Sequence, residues 1–137
     1  MSAGTSRKPL AEKLGIKAGF VVVVIDPPTG YRRLLGRLPD RVTIRTRVDG
    51  PVDLIHAFVR DRSGLEASFH RWKAAIPRDG SLWISWPKRS AGVPTDLTED
   101  VVRSVALEHG LVDVKVCAVD GTWSGLKLVY RMADRGS

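Results

Sequence analysis

Residues 80–100 read GSLWISWPKRSAGVPTDLTED, and the other predicted elements of the chain are arranged around this stretch. Ser81 to Trp86 predicts a buried strand, which Pro87 ends because proline has no amide to donate to a sheet. Thr98 is a preferred N-cap, so it predicts the start of a helix. The loop between strand and helix, residues 88–94, carries cations and small residues. Open α/β sheets bind ligands just beyond the carboxyl ends of their strands, so this loop is the first candidate for a site.

Strands and helices alternate on the amino-terminal side of this stretch. Residues 20–25, FVVVVI, predict a strand covered on both faces, and the DPP at residues 26–28 ends it. Residues 53–59, DLIHAFV, predict a second apolar strand. A helix follows, because Ser63 and Glu66 have the spacing of a capping box. Its apolar residues recur at helical spacing: Leu65, Phe69, Trp72 and Ile76.

Two further features complete the predicted sheet. Residues 112–119 and 126–132 flank DGTWSG, whose turn residues predict a hairpin. Residues 41–47 alternate between apolar and basic side chains, which predicts a strand near a sheet edge. The whole order predicts an α/β fold of three layers, Rossmann-like, with a mostly parallel sheet of about six strands and a C-terminal antiparallel hairpin.

One connection in this scheme is unusually short. Only about five residues separate the strands that end near Arg47 and begin near Asp53, whereas a parallel crossover takes about a dozen or more. Either both strands are short and the link runs past the end of the sheet, or the sheet is rearranged there.

The size and composition of the chain favour one globular domain. It has 137 residues, of which 43% are hydrophobic, and four are tryptophans. Residues 1–137 are therefore expected to form a single domain, with residues 1–5 as a flexible tail and a core at about residues 9–132.

Several classes of protein lack support in the sequence. Cys117 is the only cysteine, which precludes an internal disulfide and fits a reducing compartment. The longest apolar run, residues 20–25, is far shorter than the roughly 20 residues that span a bilayer. These features predict a cytoplasmic protein without a membrane segment. No histidine has a partner at metal-ligand spacing, so no metal site is expected. No phosphate-binding loop, dinucleotide fingerprint or nucleophile elbow is present.

Positive charge is concentrated in the first part of the chain. The net charge is +7, and residues 1–80 carry 15 Lys and Arg against 8 Asp and Glu, whereas residues 81–137 carry 7 against 7. A basic surface attracts polyanions, so nucleic acid is a candidate partner, although no recognition motif accompanies the charge. The candidate contacts are Arg41, Arg45 and Arg47. The alternative is a solvated face without a partner.

Three stretches carry a resemblance to known proteins: PLAEKLGIKAG, SWPKRSAGVPTDLTE and GLVDVKVCAVDGTWSGLKLVYR. Together they resemble a family of small bacterial proteins of unknown function over roughly residues 9–132. The ending of strand, helix and hairpin also resembles class I S-adenosylmethionine-dependent methyltransferases, which have a Rossmann-like sheet. The resemblance implies a truncated methyltransferase-like fold and makes S-adenosylmethionine a possible cofactor.

The chain departs from the catalytic methyltransferase pattern at three places. Those enzymes follow their first strand with a glycine-rich turn, whereas here Gly30 stands alone after two prolines. They hold the ribose of the cofactor with an acid at the end of the second strand. Asp49 stands near that position, or it simply belongs to the turn at residues 49–51. A further strand and helices would normally fill the gap before Asp53.

The ligand-binding candidates fall into three groups. Asp26 and Pro27 are similar to the D-P-P-aromatic motif of amino-group methyltransferases, although two residues separate them from the next aromatic ring; otherwise they simply end a strand. Trp86, Lys88 and Arg89 suit an anionic or aromatic ligand, or else form a core tryptophan and a solvated loop. Trp123, expected in the hairpin loop, lines a groove or caps the core.

Three functions remain open from the sequence. The first is a methyltransferase-like domain, non-catalytic or degenerate, that binds a small ligand or a protein partner. The alternative is an active small S-adenosylmethionine-dependent methyltransferase, whose pocket Asp26, Asp49 and Trp86 would line. The third is a nucleic-acid accessory protein that uses its basic amino-terminal part. Catalytic residues and oligomeric state are not predicted.

Overall fold

The computed structural model describes residues 8–135, so the expected tail at residues 1–5 lies outside it. Six strands are present in this range: β1 (Val21–Ile25), β2 (Thr43–Arg45), β3 (Leu54–Phe58), β4 (Ser81–Pro87), β5 (Leu111–Ala118) and β6 (Trp123–Tyr130). The helices are α1 (Leu10–Leu14), α2 (Tyr31–Leu35), α3 (Arg62–Ala75), α4 (Glu99–Glu108) and α5 (Met132–Arg135), with a 3-10 turn at Arg89–Ala91.

All six strands lie in one sheet, in the order β2-β1-β3-β4-β6-β5. The first four are mutually parallel, whereas β6 runs antiparallel to both β4 and β5. This confirms the predicted α/β fold with a mostly parallel sheet and a C-terminal antiparallel hairpin. In this hairpin the second strand, β6, lies next to β4, and the first strand, β5, lies at the edge of the sheet.

The short connection after β2 is explained by the strand registers. β2 and β3 are both parallel to β1 and lie on opposite sides of it. β2 ends beside Val23 and β3 begins beside Val22, so the link has to return by only about one residue along β1 and needs no helix. Val48 and Val52 of the link pack into the core. Asp53 then ties the link to β1, because its carboxylate accepts a hydrogen bond from Val21 N at 2.7 Å and its amide donates to Val21 O at 2.9 Å.

The predicted strand at residues 41–47 was too long. Only Thr43–Arg45 pairs with β1, at the sheet edge as expected. Arg41 has a left-handed backbone, with φ +59°, that no strand accommodates. Arg41 and Arg47 therefore lie outside β2, and the basic face is interrupted.

Apolar side chains cover both faces of the sheet. On one face, α3 and α4 contribute Leu65, Phe69, Val102 and Val105 to a core that includes residues from β3, β4 and β6. On the other face, α1 and α2 pack against the opposite sides of β1, β3 and β4. All five residues of β3 and all seven of β4 are buried, as expected for strands covered on both sides. No helix within residues 8–135 has the length and apolar content needed to cross a bilayer.

The cap of α3 differs from the capping-box prediction. The helix begins at Arg62, and its N-cap is Asp61, whose carboxylate accepts a hydrogen bond from Gly64 N at 2.7 Å. Ser63 lies inside the first turn, so it cannot cap. For α4 the prediction was right, because Thr98 Oγ1 accepts from Val101 N.

Candidate functional site

The strand order creates a switch point between β1 and β3. From β1 the chain passes through α2 to β2 on one side, and from β3 it passes through α3 to β4 on the other side. The two connections diverge at the carboxyl ends of β1 and β3, which leaves a crevice there. Crevices of this kind are where open α/β sheets bind ligands.

A cavity of about 610 Å³ lies at this switch point. Its walls come from the end of β1, the end of β3 and the first turns of α3. The polar and charged residues that line it are Asp26, Arg60, Asp61, Ser68 and Arg71. Apolar walls come from Ile25, Pro27, Phe58, Val59 and Trp72. We call this space the switch-point cavity.

Two guanidinium groups line the switch-point cavity without an acidic partner. The five ion pairs found among residues 8–135 involve Arg62 and Arg103, so no carboxylate lies within 4.0 Å of Arg60 or Arg71 there. Arg60 is held in place by Trp123, with its guanidinium carbon 5.3 Å from the ring centroid. The arrangement therefore offers two positive charges to the cavity.

Carboxylates accept hydrogen bonds from two backbone amides in the first turn of α3. Gly64 N donates to Asp61 Oδ1, and Arg62 N donates to Asp96 Oδ1 at 2.8 Å. The loop after β1 offers few donors, because residues 27 and 28 are prolines. Asp26, which begins this loop, has a left-handed φ of +51° that is uncommon for a residue other than glycine.

A second cavity, of about 380 Å³, lies between the end of β4 and the start of α4. The sequence candidates Trp86, Lys88 and Arg89 line it. It also includes hydroxyl-bearing residues from three elements: Thr95, Thr98 and Ser124. A hydrogen bond connects the walls of the two cavities, because Thr95 Oγ1 donates to Arg60 O at 2.6 Å.

The structure separates residues that the sequence placed in one pocket. Asp26 and Pro27 line the switch-point cavity, Trp86 lines the second cavity, and Asp49 lines neither. Asp49 belongs to the link after β2, where its carbonyl accepts a hydrogen bond from Arg45 Nη1 at 2.7 Å. The three carboxyl and aromatic side chains therefore do not form one pocket.

Trp123 is also placed differently from its prediction. It is the first residue of β6 and is 4% exposed, so it is not part of an open hairpin loop. Its ring packs edge-on against Phe58, with centroids 5.0 Å apart, and supports Arg60. It touches the switch-point cavity only through these two neighbours.

Sequence reasoning missed Arg60, Asp61 and Arg71. The first two directly follow the strand predicted at residues 53–59, so the carboxyl-end rule that selected Lys88 and Arg89 also selects them. Arg71 carried no such signal, because its place depends on how α3 packs over the sheet.

His56 is a buried structural residue and not part of either cavity. It is 0% exposed, and its ring nitrogens form hydrogen bonds to the Tyr31 hydroxyl at 2.8 Å and to Ser85 Oγ at 2.7 Å. Burial lowers the pKa of His56 to about 3, so the ring is neutral. Among residues 8–135, no three His, Cys, Asp or Glu residues are grouped so as to hold a metal ion.

Comparison with known proteins identifies the fold. No family model matches the sequence, and no curated protein matches it. Solved structures do match: magnesium protoporphyrin IX methyltransferase from Synechocystis PCC 6803 with bound SAM superposes with a TM-score of 0.59 at 10% identity, over 89% of this chain and 76% of that one. A SAM-dependent methyltransferase from Aquifex aeolicus gives 0.60 at 15% identity, over 87% and 86%.

Aeropyrum pernix fibrillarin, in complex with natively bound S-adenosyl-L-methionine, also matches, with a TM-score of 0.56 and 14% identity. The match covers 87% of this chain and 72% of that one. At such low identity the similarity establishes a methyltransferase-like Rossmann fold, which is truncated here relative to these structures. It does not by itself carry an activity to this chain.

Proposed function

We propose that this methyltransferase-like domain binds a small ligand with an anionic group, carboxylate or phosphate, in the switch-point cavity, and that it does not transfer methyl groups. Arg60 and Arg71 contact the anionic group of the ligand. Asp26, on the opposite strand end, accepts a hydrogen bond from a donor on the same ligand.

The observation that carries this proposal is the pair of guanidiniums at the switch point. Neither has an acidic partner among the described residues, although each lies beside a cavity of about 610 Å³. Guanidinium groups bind carboxylates and phosphates through two parallel hydrogen bonds, and such charge-assisted bonds are about twice as strong as neutral ones. Trp123 fixes Arg60 in advance, which reduces the entropy lost when a ligand binds.

The cavity fits S-adenosylmethionine poorly. The acid that the methyltransferase pattern requires after the second strand would be Asp49, and Asp49 does not line the cavity. Pro27 and Pro28 remove amide donors from the loop after β1. Two of the amide donors at the start of α3 already donate to Asp61 and Asp96. These features favour a different, smaller ligand.

Active S-adenosylmethionine-dependent methyl transfer is the second candidate. The observation in its favour is the superposition on methyltransferases, including the Synechocystis protein with bound SAM. The candidate requires the prolines after β1 and the occupied amides of α3 to rearrange when the cofactor binds.

The proposal is tested by titrating the isotope-labelled full chain and recording amide chemical shifts. The probes are inorganic pyrophosphate, citrate and S-adenosylmethionine. Pyrophosphate or citrate is expected to shift amides at residues 58–64 and 68–72. Arg71→Gln should weaken that binding about tenfold or more, because a hydrogen bond to a charged group contributes about 1.5–3 kcal/mol.

Arg78→Gln is the matched control. This substitution also removes one positive charge, from the loop that follows α3. The Arg78 guanidinium stacks on Tyr130, 5.2 Å from the ring centroid, and does not line the switch-point cavity. Equal weakening in both variants, or no shift at residues 58–72 with any probe, would overturn the proposal. Shifts with S-adenosylmethionine together with methyl transfer to an acceptor would establish the second candidate instead.

A further inference from the structure

Four lysines meet on the face of the sheet that α1 covers: Lys13, Lys17, Lys115 and Lys127. We call them the lysine cluster. They come from two distant parts of the sequence: Lys13 and Lys17 belong to α1 and its following loop, whereas Lys115 and Lys127 lie on the two strands of the hairpin, β5 and β6. None of them lines the switch-point cavity or the second cavity.

Strand pairing and hydrogen bonds place Lys13, Lys115 and Lys127 near one another, and Lys17 is close enough to Lys127 to repel its ammonium group. Lys115 and Lys127 are direct cross-strand partners on the antiparallel pair β5–β6. Lys115 Nζ donates to Lys13 O at 3.4 Å, and Lys13 Nζ donates to Ala118 O at 3.0 Å. Lys127 Nζ reaches over the end of α1, 3.8 Å from the position that a Cβ at Gly15 would take.

These charges are not compensated by acids. The ion pairs among residues 8–135 involve only Arg62 and Arg103 as cations, so no lysine of the cluster has a carboxylate within 4.0 Å there. Like charges directly opposite each other on paired strands destabilise a sheet. The pKa of Lys127 lies below its usual value because partial burial desolvates the ammonium, and because Lys115, Lys17 and Arg135 repel it. An external anion beside these ammonium groups would offset their mutual repulsion.

We propose that the lysine cluster binds the phosphate backbone of double-stranded nucleic acid without reading its sequence. Phosphates are the anions that clustered lysines neutralise on nucleic acids, with release of counterions. The cluster extends from the end of α1 across β5 and β6, and an extended backbone contacts such a spread of charges better than a small ligand does.

The surrounding surface favours a duplex over a single strand or a membrane. Single-strand binders stack bases on exposed aromatic rings, but the exposed large hydrophobic residues of the described chain include no aromatic ring. Membrane-surface binding needs apolar side chains beside the cations. Two exposed valines of β5 flank Lys115. Val116 pairs with Leu126 of the opposite core, so it faces away from the cluster. Val114, at the irregularity between Asp113 and Lys115, is a single small apolar side chain, which is far less than the apolar face of a membrane-binding helix.

The test is the binding of a fluorescently labelled duplex DNA to the full chain, measured by anisotropy between about 50 and 200 mM salt. The wild-type protein is expected to bind with an affinity that falls linearly on a log–log plot against salt. Lys115→Gln with Lys127→Gln should weaken binding about tenfold or more at low salt and reduce the slope by roughly 2, about one for each lost phosphate contact.

The matched control is Arg41→Gln with Arg47→Gln, which removes the same net charge from the exposed arginines near β2. It should leave the slope within about half a unit of the wild type. Equal losses in the two variants would show general attraction to a basic protein and would overturn the proposal. It would also be overturned by absence of duplex binding at low salt, tighter binding of single strands, or binding only to vesicles that contain phosphatidylserine.

A second readout uses the wild-type chain and does not depend on variants that fold. Reductive methylation followed by mass spectrometry reports how accessible each lysine is. Added duplex should protect Lys115 and Lys127 and leave Lys88, at the second cavity, unprotected. Protection of Lys88 without protection of Lys115 and Lys127 would contradict the assignment.

Discussion

A buried chain of three polar side chains joins helix α2 to the centre of the sheet. The Tyr31 hydroxyl and Ser85 Oγ bind the two ring nitrogens of His56, and all three residues are buried. Burial raises the pKa of Tyr31, so the hydroxyl keeps its proton. No side-chain polar atom that is buried in the described chain lacks a hydrogen-bond partner. The hydrogen-bonded side chains of Tyr31, His56 and Ser85 therefore satisfy one another. They also fix the position of α2, which follows the loop at Asp26.

Tyr31→Phe should lower the free energy of unfolding by about 1–3 kcal/mol, because His56 Nδ1 loses its partner while it stays buried. Tyr130→Phe is the control, since the Tyr130 hydroxyl donates to Lys73 O at 3.0 Å in a half-buried place that water can reach. It should cost about 0.5–1.5 kcal/mol. Urea denaturation measures both values. A Tyr31→Phe protein as stable as the wild type would show that the hydrogen bond between Tyr31 and His56 does not stabilise the fold.

At the scale of elements, α3 is the helix that shapes the switch-point cavity. Asp61 caps it and lines the cavity at the same time, and Arg71 projects from its third turn. The cap prediction placed the start two residues too late, because Ser63 and Glu66 match the capping box by spacing alone. In the structure Glu66 instead pairs with Arg62, with Nε and Oε2 3.1 Å apart.

Asp61→Ala should destabilise the protein by about 0.5–2 kcal/mol through loss of the N-cap. Ser63→Ala should change stability by less than about 0.5 kcal/mol, since Ser63 is exposed and only donates to Asp61 at 3.2 Å. Thermal or chemical unfolding of the two variants measures this contrast. A larger loss of stability from Ser63→Ala than from Asp61→Ala would instead support the predicted capping box at Ser63 and Glu66.

At the scale of the whole molecule, His56 couples global stability to pH. The folded protein holds its pKa at about 3, whereas an unfolded chain has the usual value near 6.5. The unfolded state therefore binds the extra proton first, and stability is lost as pH falls from about 6.5 towards 3. Each pH unit in this window costs up to about 1.4 kcal/mol.

The expected result is that the wild-type protein loses stability between pH 6.5 and 4 more steeply than a His56→Gln variant does. Carboxylates titrate in both proteins, so the difference between the two slopes isolates the histidine. Urea denaturation at a series of pH values measures these slopes. Parallel pH profiles would show that His56 does not control acid stability.

The sequence alone determined the class of fold and most of its elements. Alternating apolar runs, helical spacing and turn residues are local signals, and they placed β1, β3, β4, α3, α4 and the hairpin to within a few residues. The carboxyl-end rule also selected the loop after β4 as a candidate ligand site, and a motif similarity selected Asp26. These predictions depend only on neighbours in the chain.

Only the tertiary structure decided which of these places share a site. The strand order set β2 and β3 on opposite sides of β1, which removed Asp49 from the cavity and brought Arg60 and Arg71 to Asp26. It also placed Lys115 against Lys13, 102 residues away in the sequence, although residues 81–137 carry no excess charge. Strand order depends on which apolar faces bury one another, and that free energy is shared among residues far apart in sequence. No local sequence pattern therefore specifies the strand order.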